Sequence, residues 1–210
     1  MPAGDQRIGT PQSAVRRMNS ILTIPNILTF MRMGLIPVFV SLVYYGYSKW
    51  ALAVFLIAGI SDGIDGFLAR RFKQESELGT IIDPIADKLL MTTAFIILTL
   101  PNVLPPVRHL PIPFWVTASV IGRDVLILTV AGGINIMTGF RGFKPSFWGK
   151  VSTLVQVIGI SLVMFAAVSG YSVFLPTTYF IIVLLVVVSG VHYIFQVARL
   201  MSEESKQTTS

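Results

Sequence analysis

The chain has 210 residues, of which 53% are hydrophobic and 12% charged, and it contains no cysteine. Soluble domains carry about 25% charged residues, so the composition excludes an ordinary water-soluble fold and indicates one membrane domain. The absence of cysteine excludes disulfides, thiolate metal sites and cysteine nucleophiles. The formal charge is +6, but the cations stand at the ends of apolar runs and form no basic stretch with interleaved aromatic residues. We therefore expect no nucleic acid among the partners.

The first 20 residues are polar and carry three arginines, with no small-residue cleavage site behind a short apolar core. We therefore expect no secretory signal. Within Ser13–Leu22 the apolar and the basic side chains fall on different sides of a helix. This pattern predicts a short amphipathic helix in the membrane interface, with a disordered basic tail as the alternative.

Six apolar runs follow, each of roughly 17–22 residues and long enough for a helix to cross a hydrocarbon core of about 30 Å. They are Ile27–Tyr45, Trp50–Leu68, Pro84–Leu100, Phe114–Ile134, Val151–Val168 and Phe174–Phe195. The sequence thus predicts an all-α integral membrane protein with six transmembrane helices and the interfacial helix before them. We divide it into a cytoplasmic segment 1–22, a six-helix domain 23–198 and a cytoplasmic tail 199–210.

The cations indicate the orientation of the spans. With the N-terminus inside, the outer loops hold Lys49 and Arg108, and the inner loops hold Arg70, Arg71, Lys73, Arg141, Lys144 and Lys150. This asymmetry predicts that both termini are cytoplasmic. We expect the membrane to be a bacterial inner membrane. The expected aromatic belt at the outer interface contains Tyr44, Tyr45, Trp50 and Trp115.

Five of the ten acidic residues lie in or at the ends of apolar runs: Asp62, Asp65, Asp83, Asp87 and Asp124. A charge at the centre of a bilayer costs at least about 2.5–3.5 kcal/mol, so intramembrane acids usually face a polar cavity and have a function there. These residues are the first candidates for a site.

Four of them form one pattern on two helices. Asp62 and Asp65 are three residues apart, and Asp83 and Asp87 are four apart, so each pair shares a helix face. The short polar linker Arg71–Leu78 predicts antiparallel neighbouring helices, with their carboxylates meeting near the cytoplasmic ends. We expect Pro84 in the first turn of the second helix, where its missing N–H is not needed.

Four neighbouring carboxylates need protons or cations to compensate their charge. Oxygen ligands select hard ions, so we expect two Mg²⁺ or Mn²⁺ ions, the arrangement used for phosphoryl-type displacements, and expect Ca²⁺ to bind without supporting reaction. Gly66 and Ala69 leave room for a ligand against the helix, and Arg70 supplies a fork suited to phosphate.

The spacing D-x2-D-G-x2-A-R-x8-G-x3-D-x3-D, read from Asp62 to Asp87, resembles the signature of the CDP-alcohol phosphatidyltransferase family, and every signature position is filled. The similarity extends to Pro25–Arg32 before the signature and Gly149–Thr153 after it. The resemblance implies a six-helix homodimeric enzyme that transfers a phosphatidyl group from CDP-diacylglycerol to an alcohol and releases CMP.

The resemblance also implies roles for particular residues. The metal ligands would be Asp62, Asp65, Asp83 and Asp87, with Asp87 also the general base on the acceptor hydroxyl. The CDP moiety would be bordered by Asp62, Asp65, Gly66, Ala69, Arg70, Asn26 and Thr29.

The acceptor is less closely defined. Arg123 and Asp124 form either a pair facing the cavity or an internal structural salt bridge. Arg141, Lys144 and Lys150 either bind a phosphate of the acceptor or are ordinary inner-loop cations. The acceptor-binding candidates are thus Lys150, Arg123, Arg141 and Lys144, and they favour an anionic alcohol or phospholipid.

Two acceptors fit these cations, phosphatidylglycerol and glycerol 3-phosphate. Phosphatidylglycerophosphate synthases usually have Arg-Glu where this chain has Arg123-Asp124, and a second lysine where it has Ser152. The chain therefore looks more like the CMP-forming cardiolipin synthases, whose acceptor is phosphatidylglycerol, and inositol phosphate or serine is a less favoured acceptor.

Two other classes of protein are alternatives. A cation-coupled transporter would spread carboxylates across the membrane depth and show internal repeats, whereas here the acids cluster and no repeat is found. A membrane assembly subunit would need about as many nearby cations as acids and would not need the glycines that follow Asp62 and Asp65.

Overall fold

A computed structural model describes residues 24–72, 77–138 and 147–208, with side chains for residues 29–61, 85–130, 132–133 and 147–199. Within these ranges the chain forms six α-helices and no strand, which confirms the all-α prediction. The helices are α1 (Ile24–Tyr44), α2 (Ser48–Phe72), α3 (Glu77–Thr99), α4 (Phe114–Thr138), α5 (Phe147–Ser169) and α6 (Leu175–Thr208). The interfacial helix predicted in Ser13–Leu22 lies outside the described residues.

Several helices continue beyond the apolar runs that predicted them. The last run ends at Phe195 but α6 ends at Thr208, and α3 begins at Glu77, seven residues before Pro84. The expectation that Pro84 occupies the first turn is therefore wrong. The reason is that backbone hydrogen bonds and helix propensity determine a helix, and polar residues support both.

Two helical segments among the described residues are long and apolar enough to cross a membrane, Phe147–Ser169 and Leu175–Arg199. The apolar helical segments Thr29–Tyr44 and Ser48–Ser61 are shorter. Large apolar side chains are also exposed along the bundle, among them Ile57, Leu128, Phe165, Phe180 and Phe195. Such an extensive apolar surface is unfavourable in water and suits contact with lipid.

The helices pack in a ring whose order differs from their order in the chain. Contacts among the described residues run from α3 to α1, then to α2, α5, α6 and α4, and from α4 back to α3. A further contact between α3 and α5 crosses the ring. The two aspartate-bearing helices, α2 and α3, therefore both pack on α1.

Close side-chain packing holds this ring together. Phe39 of α1 and Phe55 of α2 pack with ring centroids 5.7 Å apart and ring planes tilted by 45°. Between α5 and α6, a Cβ atom at Gly159 would lie 2.5 Å from Cδ1 of Ile182, so the absence of a side chain permits the close approach. The hydroxyls of Thr99 and Thr117 are 2.6 Å apart and join α3 to α4.

One end of the bundle, here called the distal end, is formed by residues 45–47, 100–113 and 170–174. Tyr179 near the start of α6 donates a hydrogen bond of 3.0 Å to the carbonyl of His109 in the second of these segments. The carbonyl of Leu98 accepts a bond of 2.9 Å from the N–H of Ile112. The aspartate pattern occupies the C-terminal half of α2 and the N-terminal half of α3, away from the distal end.

Candidate active site

The four aspartates of the pattern lie on two helices. Asp62 and Asp65 belong to α2, and Asp83 and Asp87 belong to α3. Since both segments are helical, the spacings of three and four residues place each pair on one helix face. Of the four side chains the structure describes that of Asp87, which is partly buried and interacts with the protein. The meeting of all four carboxylates stays a prediction.

The donor set fits a hard divalent cation. The side chains described here include no group of three or more histidine, aspartate or glutamate residues placed to hold a metal ion, and they include only Asp87 of the four aspartates. All four candidates are carboxylates, the donors that Mg²⁺ and Mn²⁺ prefer. The residues that would hold such ions are Asp62, Asp65, Asp83 and Asp87.

A charged network next to Asp87 joins three helices. Lys88 of α3 donates from Nζ to Oδ2 of Asp124 on α4 at 2.7 Å. The other carboxylate oxygen of Asp124 accepts from NH1 of Arg123, also at 2.7 Å. The NH2 group of Arg123 donates to Oγ of Ser189 on α6 at 2.6 Å. The network therefore links α3, α4 and α6 at one level of the bundle.

This network is mostly withdrawn from the surface. The side chains of Arg123, Asp124 and Lys88 are 9%, 12% and 39% exposed. One carboxylate is shared by two cations, so the three residues carry one positive charge in excess. A buried carboxylate is tolerable only when it is paired, and here both of its oxygens are. The Arg123–Asp124 pair is thus a salt bridge extended by Lys88, the residue that follows Asp87 in α3, and the three side chains together carry a net positive charge.

Helix α1 places a second cation inside the bundle. Thr29, Arg32, Phe39 and Val43 are buried and lie along one side of α1, which packs on α2 and α3. Arg32 is 1% exposed. A buried arginine on the helix that contacts both aspartate-bearing helices is a candidate for binding phosphate or balancing carboxylates. Thr29 was predicted to border the CDP moiety, and it lies on the same buried side.

Helix α5 contributes Lys150 and a buried polar pair. Lys150 is exposed in the first turn of α5. Ser152 and Gln156 are almost completely buried, and Nε2 of Gln156 donates to Oγ of Ser152 at 3.2 Å. Ser152, at a position where we expect a lysine in phosphatidylglycerophosphate synthases, is therefore an uncharged, buried and hydrogen-bonded hydroxyl in this chain.

The side chains of the remaining predicted site residues lie outside what the structure describes. The backbone of Asn26, Gly66, Ala69 and Arg70 is helical, but their side-chain surroundings are not described. Arg141 and Lys144 fall between the described ranges. Their roles stay predictions.

Sequence reasoning did not assign Arg32, Lys88 or Ser189 to the site. Arg32 had a detectable signal, because it is a cation within the apolar run Ile27–Tyr45. Lys88 and Ser189 join the network through contacts between helices, at separations of 36 and 66 residues from their partners. No local pattern predicts such contacts.

The helical bundle combines an exposed apolar surface with acids on two helices and buried cations on others, as expected of a membrane-associated enzyme. Residues 22–201 match the family model described as CDP-alcohol phosphatidyltransferase. The chain belongs to the CDP-alcohol phosphatidyltransferase family and is a phosphatidyltransferase.

Relatives in this family carry two different names. A cardiolipin synthase (CMP-forming) of Streptomyces coelicolor is 31% identical, over 81% of this chain and 77% of its own length. A cardiolipin synthase (CMP-forming) of Rattus norvegicus is 34% identical, over 76% of this chain and 56% of its own length. A probable phosphatidylglycerophosphate synthase of Mycobacterium tuberculosis is 34% identical, over 85% of this chain and 83% of its own length. The comparisons support phospholipid synthesis without distinguishing the acceptor.

Proposed function

We propose that the chain transfers the phosphatidyl group of CDP-diacylglycerol to a hydroxyl of phosphatidylglycerol, forming cardiolipin and releasing CMP. The observation that carries this choice is the charge of the network that joins α3, α4 and α6. Lys88, Arg123 and Asp124 together carry one positive charge in excess, and Ser152 of α5 adds none. One positive charge matches the single negative charge of a phosphodiester better than the two charges of a phosphate monoester such as glycerol 3-phosphate.

The residues perform the reaction as follows. Asp87 accepts the proton of the acceptor hydroxyl as its oxygen attacks the β-phosphorus of the donor. The new oxygen–phosphorus bond forms as the bond from that phosphorus to the CMP oxygen breaks, and CMP leaves with the electron pair. Asp62, Asp65, Asp83 and Asp87 would hold divalent cations, which would supply Lewis-acid stabilisation of the pyrophosphate charge. Lys88 and Arg123 hold the acceptor phosphodiester close to Asp87, and Arg32 offers a fork for the donor phosphates.

A second acceptor, glycerol 3-phosphate, is kept because of one specific observation. The probable phosphatidylglycerophosphate synthase matches 85% of this chain at 34% identity. With this acceptor Lys150 would supply the additional positive charge, since it lies two residues before Ser152 and is exposed.

We propose that all six helices cross a bacterial inner membrane with both termini in the cytoplasm. Support comes from the exposed apolar side chains along the bundle and from the unequal distribution of Lys and Arg between the predicted loops. This orientation would place the aspartates on the cytoplasmic side and the distal end on the other.

We also propose a homodimer. Helix α4 supports it, because Ala118 and Gly122 are exposed four residues apart, and a Cβ at Gly122 would meet no atom within 4 Å. Two small residues at this spacing allow close approach of a helix from a second copy. Crosslinking of Gly122→Cys in membranes tests this contact, and Gly34→Cys, on an open face of α1, is the control.

The acceptor is tested with the purified full chain in detergent. CDP-diacylglycerol and Mg²⁺ or Mn²⁺ are supplied with phosphatidylglycerol or with glycerol 3-phosphate, and CMP and the lipid product are measured by mass spectrometry. We expect cardiolipin and equimolar CMP with phosphatidylglycerol, and loss of both when EDTA is added. Faster turnover with glycerol 3-phosphate would select the second candidate. Metal-independent turnover with either acceptor would refute the metal site, and the Asp87→Asn variant gives the background rate.

A further inference from the structure

A cleft of about 650 Å³ opens at the distal end, at the opposite end of α2 from its aspartates. Three parts of the chain line it: the α1–α2 turn, the beginning of the α3–α4 connection and the last residues of α5. In the turn, Gly46 has a φ of 78°, and the N–H of Tyr47 donates to the carbonyl of Leu42 at 2.8 Å. Few residues other than glycine adopt this φ without strain, so Gly46 fixes the shape of one wall.

The chemistry of the cleft is mixed. Its aromatic side chains, those of Tyr44, Tyr45, Tyr47 and Trp50, are 59–72% exposed. Lys49 is the only charged residue among the described residues that line it. Val103, Leu104, Ala167 and Val168 form an apolar part of the lining. The cleft therefore combines one cation, amphipathic aromatic rings and an apolar wall.

We propose that this cleft binds the headgroup and glycerol region of an anionic phospholipid from the leaflet at the distal end. Lys49 would pair with the lipid phosphate, and the apolar wall would contact the first carbons of the acyl chains. Tyrosine and tryptophan favour the headgroup level of a bilayer, where one part of the ring is apolar and the other is wet. A water-soluble anion would leave the apolar wall and the exposed rings without a partner.

This site is separate from the chemistry. Lys49 is in the first turn of α2 and Asp62 is 13 residues later on the same helix. At a rise of about 1.5 Å per residue, the two are about 20 Å apart along the axis. Neutralising Lys49 should therefore leave phosphatidyl transfer unchanged, and the proposal does not depend on which acceptor the enzyme uses.

Quenching of tryptophan fluorescence by brominated lipids tests the proposal. The chain contains three tryptophans, and Trp115→Phe with Trp148→Phe leaves Trp50 as the reporter. The full chain is reconstituted in phosphatidylcholine vesicles containing brominated phosphatidylserine or, at equal mole fraction, brominated phosphatidylcholine. Phosphatidylserine is chosen because it is anionic and is not the proposed acceptor. The matched reporter is Trp115, which lies at the same end and outside the cleft.

We expect phosphatidylserine to be enriched about fivefold over phosphatidylcholine near Trp50. This ratio corresponds to about 1 kcal/mol, the interaction of one cation with anionic lipid. Lys49→Gln should remove this preference, and Arg108→Gln, which removes the exposed cation outside the cleft, should leave it. Equal quenching of Trp50 by both lipids, or a preference that survives Lys49→Gln, would overturn the proposal. Protection of Trp50 from both lipids that disappears on dilution would assign the cleft to a second copy of the chain instead.

Discussion

Asp124→Asn is the most direct test of the three-helix network. The change keeps the shape of the side chain but removes the charge that both Lys88 and Arg123 contact at 2.7 Å. Removing one partner of a buried ion pair costs about 3–5 kcal/mol, because the other charge is left uncompensated. Arg123 is 9% exposed, so its charge would be left buried and uncompensated. Lys88 is 39% exposed and can turn toward solvent. We therefore expect Asp124→Asn to lower the free energy of unfolding by about 3 kcal/mol.

The loss is measured as the shift in the unfolding midpoint of the purified protein in detergent, followed by tryptophan fluorescence. Arg108→Gln, which removes an exposed charge at the distal end, serves as the control. Its free energy of unfolding should differ from that of the parent by no more than about 0.5 kcal/mol. A double-mutant cycle of Lys88→Met with Asp124→Asn isolates the pair, with an expected coupling of about 0.5–3 kcal/mol. A midpoint for Asp124→Asn equal to that of the parent, together with zero coupling, would show that the network does not hold the helices together.

Three further outcomes are expected. Asp87→Asn should lower the rate of CMP release by at least about 100-fold in a protein that is still folded and membrane-inserted, and near-normal turnover would remove its role as general base. With glycerol 3-phosphate as the acceptor, Lys150→Ala should raise the KM for the acceptor more than the KM for CDP-diacylglycerol, and equal changes would remove its role in acceptor binding. Gly159→Val should lower the free energy of unfolding by about 1–3 kcal/mol, because the new side chain overlaps with Ile182. Gly34→Val should cause no such steric destabilisation, because a Cβ at Gly34 meets no atom within 4 Å.

The sequence predicted the helices well because apolar length is a local property. All six apolar runs correspond to helices, but their ends were missed where polar residues continue the helix, as at Thr208. The position of Pro84 was misjudged for the same reason, since hydropathy marks where a helix becomes apolar rather than where it begins.

The candidate site was predictable in its residue types and less so in its contacts. The spacing of Asp83 and Asp87 showed that they share a face, and the adjacency of Arg123 and Asp124 suggested a pair. The link from Asp124 to Lys88 could not be predicted, because it depends on the packing of α3 against α4. Likewise, the sequence shows that Ser152 of α5 is uncharged. It does not show that Ser152 is buried and hydrogen-bonded to Gln156.

The position of α1 limits how far this enzyme can be shortened. A fragment that begins at α2 would retain every signature aspartate and would still lack the helix against which both acid-bearing helices pack. It would also lose Arg32, the buried cation nearest in sequence to the signature on its N-terminal side. The smallest working unit therefore has to include α1 and start no later than Ile24, well upstream of the signature from which the family is recognised.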